Sequence, residues 1–174
     1  GLEVLLEKRT GKLTGWIGYT LSWTNRTFAN INNGETYPYR YDRRHDISVA
    51  LTHKFNDRVD VGLVWVYGTG NAVTLALQQY NSLGDDQYGG TTVNHIEGRN
   101  NYRMPAYHRL DLGVNLHKKR KWGETRWNFS IYNVYNRQNP FYLEIGYLKN
   151  TDKKVLKQIS LFPIIPSVSF SIKF

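Results

Sequence analysis

The chain has 174 residues, a formal net charge of +9 and no cysteine, which excludes disulfide frameworks and thiolate metal sites. It contains 13 Tyr, 7 Phe and 5 Trp. No apolar run approaches the ~20 residues that a membrane-spanning helix needs, so a helical membrane protein is excluded as well.

Alternation of apolar and polar residues predicts seven antiparallel strands. They are residues 1–9, 12–25, 43–55, 58–68, 106–118, 124–148 with a break at 139–140, and 155–174 with bends at Pro163 and Pro166. Most exceed the usual soluble length of about 5–6 residues and reach the ~9–11 that cross a bilayer at a tilt.

The end of the last predicted strand has the clearest alternation in the chain. Its polar residues are Ser167, Ser169, Ser171 and Lys173, and its apolar residues are Val168, Phe170, Ile172 and Phe174. A strand between lipid and a polar interior must alternate in this way. The pattern therefore favours a strand of an outer-membrane barrel.

The connections between the predicted strands alternate in length. Residues 10–11, 56–57 and 119–123 are short turns, whereas 26–42 and 69–105 are long. Transmembrane barrels have short periplasmic turns and long external loops, so this sorting predicts that the last strand runs inward and that Phe174 lies at the periplasmic rim. Aromatic residues near predicted strand ends support the same class: Tyr19, Trp23, Trp65, Tyr67 and Trp127.

Seven strands do not make an even-numbered closed barrel, and an open edge in lipid leaves backbone groups unpaired. The sequence also opens directly on a predicted strand, without a signal peptide. We therefore expect the chain to be one piece of a larger barrel.

A few histidine, acidic and basic residues are candidates for chemistry. His45–Asp46 and His108–Arg109 with Asp111 lack a nucleophile or a metal in reach, so no enzyme is predicted. Asp85 and Asp86 suit a hard cation such as calcium, but no full ligand loop surrounds them, and no cofactor is predicted. The basic run 117–121 lacks interleaved aromatic residues, so no nucleic-acid partner is predicted either.

Five segments of the sequence resemble TonB-dependent outer-membrane receptors, in a style closest to the SusC-like transporters of Bacteroidetes. They are residues 38–46, 67–74, 102–112, 133–141 and 161–174. The resemblance implies a 22-stranded barrel of which residues 1–174 form the last seven strands, with the plug domain and the earlier strands outside this chain. The implied function is TonB-dependent uptake of a nutrient such as a glycan, a peptide or a chelated metal.

The resemblance also implies partners and roles for residues. The partners are the plug, the TonB complex, a SusD-like surface lipoprotein, the barrel-assembly machinery and lipid. The last strand, with Val168, Phe170, Ile172 and Phe174, would be the assembly signal. A polar network on inner faces would hold the plug in place, and its candidates are Arg58, Asp60, Arg109, Asp111, Asn115 and Asn128.

The long connections are rich in tyrosine, and these side chains are candidates for contact with sugar rings or peptides. They are Tyr37, Tyr39, Tyr41, Tyr80 and Tyr88, with Tyr102 nearby. Packing between loops and an aromatic girdle is the simpler alternative. Two other functions stay open at this point, a passive or adhesive outer-membrane barrel and a soluble carbohydrate-binding β-domain.

Overall fold

The computed structural model describes residues 1–76, 78–81, 92–151 and 153–174, and its main body is an antiparallel sheet of seven strands. Each strand is hydrogen-bonded to the next sheet strand along the chain. The predicted all-β class is therefore confirmed. The strands are β1 (Leu2–Lys8), β2 (Leu13–Leu21), β3 (His45–Asn56), β4 (Val59–Gly68), β5 (Tyr107–Arg120), β6 (Gly123–Tyr132) and β7 (Ile165–Lys173).

The sheet is open at both sides. Among the described residues, β1 pairs only with β2, and β7 pairs only with β6. The described strands thus form an open sheet and not a closed barrel, and the sequence predicted only one piece of a larger barrel.

Cross-strand register brings most apolar residues of the seven strands onto one side, which we call the apolar face. Leu51 is the direct partner of Leu63, Leu63 of Leu112, and Leu112 of Ile131. The next row joins Val61, Val114, Phe129 and Val168. The opposite side, the polar face, holds most of the serines and threonines and the acidic residues of the strands. It also carries a few apolar side chains, which are Leu5, Trp16, Val64 and Val66.

The apolar face has nothing packed on it within the described part of the chain. Phe129 is 44% exposed and Val168 is 59% exposed, and no apolar side chain of the seven strands is buried. The buried apolar side chains, Tyr37, Ala72 and Met104, all belong to the long connections. The sheet therefore lacks the covered face that an antiparallel sheet in water normally has.

The connections sort by length as the sequence predicted. The β3–β4 turn is short, and the Asn56 side chain fixes it by accepting hydrogen bonds from the backbone N–H groups of Arg58 (2.8 Å) and Val59 (3.0 Å). The β2–β3 and β4–β5 connections are long and lie at the opposite end of the sheet. A third long connection, residues 133–164, joins β6 to β7 at that same end.

The prediction of one sixth strand over 124–148 is wrong. The strand β6 ends at Tyr132, and Tyr142–Tyr147 instead pairs with Lys154–Ile159 in a separate hairpin. The prediction of a last strand over 155–174 is wrong for the same reason, since β7 begins only at Ile165. Asn133 and Asn136 stop β6 because both adopt left-handed backbone conformations, with φ of 54° and 51°.

The long connections, predicted as loops, contain further short antiparallel pairs. These are Asn25–Arg26 with Tyr37–Pro38, Ala72–Val73 with Tyr102–Arg103, and Gln78–Asn81 with Thr92–His95. The connections are therefore built of ordered pieces that pack on one another at one end of the sheet. No described helix is long and apolar enough to cross a membrane.

Candidate functional site

A buried ion pair joins the first two long connections. The Asp42 side chain is 1% exposed, and its Oδ2 accepts a hydrogen bond of 2.6 Å from Arg103 Nη2. Arg103 Nη1 donates to the carbonyls of Asp42 (2.6 Å) and Gly70 (3.0 Å). The backbone N–H of Thr24 donates to Asp42 Oδ1 (2.6 Å). One carboxylate thus ties together three segments that are distant in the chain.

Asn100 makes a second link between the same connections. Its side-chain Nδ2 donates to the Pro38 carbonyl (2.8 Å), and its backbone N–H donates to Thr74 Oγ1 (3.0 Å). The residue itself is left-handed, with φ of 54°, a conformation that asparagine tolerates better than most residues. These bonds hold the strand pairs of the two connections in fixed relation.

A cleft of about 510 Å³ opens between these connections, and we call it the arginine–tyrosine cleft. Tyr37, Tyr39 and Tyr41, all predicted as substrate contacts, line it together. Tyr37 is buried, Tyr39 is half-buried and Tyr41 is 59% exposed. The rings of Tyr39 and Tyr41 meet edge to face, with centroids 5.5 Å apart.

Three arginines line the same cleft, and sequence reasoning missed them. The guanidinium carbon of Arg26 lies 3.7 Å from the Tyr39 ring centroid. Arg40 lies 5.7 Å from the Tyr41 centroid, and Arg99 lies 5.7 Å from the Tyr37 centroid. Arg40, between Tyr39 and Tyr41 in the sequence, was a visible signal. Arg26 comes from a separate short strand and Arg99 from a distant turn.

The other predicted loop tyrosines lie elsewhere. Tyr80 is 57% exposed in the Gln78–Asn81 strand and does not line the cleft. Tyr102 pairs with Val73 in the β-ladder that carries Arg103. Tyr88, and the calcium candidates Asp85 and Asp86, lie outside the described residues.

The polar face carries two separate hydrogen-bonded groups drawn from the predicted network. In the first, Arg109 Nε donates to Asp111 Oδ2 (3.0 Å), and Arg109 Nη1 donates to the Tyr132 hydroxyl (2.8 Å). Tyr107 is the second hydroxyl that Arg109 contacts, at 3.0 Å. This group lies toward the long connections.

The second group lies toward the short turns. Asn115 Nδ2 donates to Asp60 Oδ2 (2.7 Å), and Asn128 Nδ2 donates to Asn115 Oδ1 (2.9 Å). His117, which sequence reasoning missed, is 2.6 Å from Asp60 Oδ1 through its Nε2 atom. His117 is two residues after Asn115 in β5, and this spacing in the sequence could have placed it on the same face of the strand. Arg58 takes part only through its carbonyl, which accepts the His117 backbone N–H (2.7 Å).

The candidate assembly residues lie together on the apolar face of β7. Phe170 contacts Trp127 of β6, with ring centroids 4.7 Å apart. Phe174 is 93% exposed, and its ring lies 5.7 Å from that of Trp122 in the β5–β6 turn. Val168 faces Phe129, and Ile172 faces Thr125.

The histidine–acid pairs considered for catalysis are split between the two faces. His45 and His108 lie on the apolar face, and their Nδ1 atoms meet the hydroxyls of Tyr19 (2.9 Å) and Tyr135 (2.8 Å). Asp46 and Asp111 point to the polar face, because neighbouring residues of a strand alternate sides. In the described part of the chain, no three metal-binding side chains cluster.

Comparisons with protein-family models, with curated proteins and with solved structures found no match for this chain. The functional argument therefore stands on the residues and their geometry.

Proposed function

We propose that this chain is part of the barrel wall and external loops of a TonB-dependent outer-membrane transporter. In this proposal the apolar face meets lipid, and the polar face lines the interior that encloses a plug domain. The long connections face the outside and contact the nutrient, with a glycan or a peptide as its class. The short turns face the periplasm.

The observation that carries the proposal is the exposed apolar face of the seven-stranded sheet. Its rows run across neighbouring strands, as in the row of Val61, Val114, Phe129 and Val168, which spans β4 to β7. Burying such surface is worth about 25 cal/mol per Å² of apolar area, so a face of this extent needs a cover. Lipid is a cover that fits a flat, continuous apolar surface with a polar face behind it.

Two further features support the proposal. Open edges at β1 and β7 leave backbone donors and acceptors that additional strands of a larger barrel would satisfy. The polar groups around Arg109 and Asp60 on the opposite face supply charged and amide side chains to which a plug could bind. Neutralising Arg109 and Asp111 together is then expected to lower hydrogen-exchange protection in the plug, and unchanged protection would count against that role.

Membrane exposure is tested with single cysteines, which the natural chain lacks. Nitroxide labels are placed at Val168→Cys and, as the matched control one residue away, at Ser169→Cys in the intact protein in its native outer membrane. We expect the label at 168 to collide mainly with dissolved oxygen, and the label at 169 mainly with a water-soluble nickel complex. Equal nickel access at the two positions would refute a lipid-facing sheet.

Coupling to TonB is tested by co-purification of the intact protein with TonB from its own cells. We expect TonB to be retained and to be lost when the region preceding this chain is removed. A passive or adhesive barrel would retain no TonB. Recovery of the intact protein from the aqueous fraction as a monodisperse monomer would instead support a soluble β-domain.

A further inference from the structure

We propose that the arginine–tyrosine cleft binds an acidic saccharide, with its carboxylate or sulfate groups held by Arg26, Arg40 and Arg99. The inference deepens the proposed function and rests on it only in placing the cleft at the outer surface.

The first step is charge. Three guanidinium groups line one cleft of about 510 Å³, and no carboxylate lines it. Glu35 and Glu97, two acidic residues of the adjoining segments, do not line the cleft. Asp42, by contrast, is already engaged by Arg103 and lies within 3.7 Å of Arg44. Among the described residues, the cleft therefore concentrates positive charge without a counter-charge, which an anionic ligand would supply.

The second step is the orientation of the donors. Arg26 lies 3.7 Å from the Tyr39 ring centroid, and its guanidinium makes no hydrogen bond to another described side chain. A planar guanidinium seated against an aromatic ring keeps its N–H donors at its edge, where they suit two-point binding of an oxoanion. The Arg99 guanidinium lies farther from its ring, 5.7 Å from the Tyr37 centroid, and it borders the same cleft as a second donor set.

The third step is rigidity. Tyr37 is 5% exposed, and Asn100 is bonded to both connections that form the cleft walls. The Arg99 backbone N–H donates to Asn32 Oδ1 (2.7 Å), which fixes the turn that carries this arginine. A cleft whose walls are fixed in the free protein loses less entropy on binding than a mobile loop would.

The remaining residues that line the cleft favour a saccharide over a peptide as the ligand. Val73 is the one aliphatic side chain of the lining, so the cleft offers no apolar pocket for a peptide side chain. Tyr41 presents a ring that is 59% exposed, and the Arg40 guanidinium carbon lies 5.7 Å from the centroid of that ring. An aromatic surface with nearby polar groups suits the mixed C–H and hydroxyl surface of a sugar ring.

Binding is measured by titration calorimetry on the purified intact protein, with trigalacturonic acid as the probe. Its fully methyl-esterified form is the matched neutral ligand, and a sulfated disaccharide distinguishes sulfate from carboxylate recognition. We expect the acid or the sulfated sugar to bind at least about tenfold more tightly than the ester, because charge-assisted hydrogen bonds are the stronger ones. Equal binding of acid and ester would overturn the inference.

Variants assign the binding to the cleft. Arg26→Gln and Arg99→Gln are each expected to weaken binding about tenfold, whereas Arg26→Lys and Arg99→Lys keep the charge and lose less. Arg120→Gln, which removes an equal charge at the short-turn end, should leave affinity unchanged. Equal losses in all three glutamine variants would mean that net charge, not the cleft, binds the sugar.

Two further outcomes are decisive. Binding of tetra-aspartate without any acidic sugar would overturn the saccharide assignment. If TonB co-purifies but no acidic sugar binds, the saccharide inference alone is refuted. If an acidic sugar binds but TonB does not co-purify, the transporter proposal alone is refuted.

Discussion

Asp42 and Arg103 stand 61 residues apart in the chain and form a 2.6 Å ion pair whose carboxylate is buried. The second terminal nitrogen of Arg103 donates hydrogen bonds to two backbone carbonyls, those of Asp42 and Gly70. A buried carboxylate needs such partners, since an isolated one loses its hydration without compensation. The pair therefore holds together the two connections between which the arginine–tyrosine cleft opens.

We expect Asp42→Asn to destabilise the packed long connections by about 2–3 kcal/mol, below the full value for a buried pair because Arg103 is partly exposed. Native-state hydrogen exchange at the backbone N–H of Thr24, which donates to Asp42 Oδ1, measures the loss directly. The matched control is Asp46→Asn, because the Arg43–Asp46 pair is about 40% exposed on both sides. A similar loss of protection in both variants would contradict the assignment.

A close backbone contact gives a second prediction. A Cβ atom added at Gly70 would collide with the carbonyl of Met104, so Gly70→Ala forces apart the two ends of the β4–β5 connection. We expect a loss of about 1–3 kcal/mol, the range for overpacking, seen as a lower melting temperature. Gly62→Ala is the control, because nothing lies within 4 Å of its added Cβ, and it should be neutral or slightly stabilising.

Asn133 supports a third prediction, because it is fully buried and its side chain makes three hydrogen bonds. Its Nδ2 donates to the carbonyls of Arg137 (3.0 Å) and Phe162 (3.1 Å), and its Oδ1 accepts from the Arg137 N–H (3.0 Å). Asn133→Ala leaves these backbone groups unpaired and places alanine at a φ of 54°. We expect a loss of about 2–4 kcal/mol in chemical denaturation.

The control for this variant separates backbone strain from lost hydrogen bonds. Asn150 has a similar φ of 62° but lies in an exposed turn. Asn150→Ala should therefore show only the conformational part, about 1 kcal/mol. If the two alanine variants were equally destabilised, the buried hydrogen bonds of Asn133 would contribute nothing.

The strands were predictable because their information is local. Alternation from Val168 to Phe174, and the Asn56 turn, depend on residues a few positions apart, and both are present in the structure. The segment 142–147 also alternates, so it was correctly placed in a strand. Its partner, Lys154–Ile159, falls at the start of the next predicted strand. Periodicity did not show that the two segments form a separate hairpin, since alternation says which side a residue faces and not which strand lies beside it.

The cleft was only half predictable for a related reason. Tyr37, Tyr39 and Tyr41 are close in sequence and conspicuous by composition, whereas Arg99 reaches the cleft through a turn fixed by a hydrogen bond to Asn32, 67 residues away. The Asp42–Arg103 pair likewise spans two connections. Such contacts depend on how ordered loops pack together, and no local spacing encodes them.

The last prediction contrasts the two faces of the sheet at neighbouring residues. Phe129 lies on the apolar face between Val114 and Val168, and Ser130 lies beside it on the polar face. If lipid covers the apolar face, as proposed, Phe129→Lys should destabilise the assembled protein by about 2–4 kcal/mol, the range for a lysine near the bilayer midplane. Ser130→Lys should have a much smaller effect, because its side chain meets the polar interior.

The intact protein is reconstituted in phospholipid vesicles and unfolded with urea. Unfolding is monitored by gel electrophoresis, in which the unfolded protein migrates more slowly than the folded protein. Since Phe129 is 44% exposed in the sheet by itself, a lysine there would be tolerated if water covered this face. Equal unfolding midpoints for the two lysine variants would therefore mean that water, and not lipid, is the natural neighbour of the apolar face.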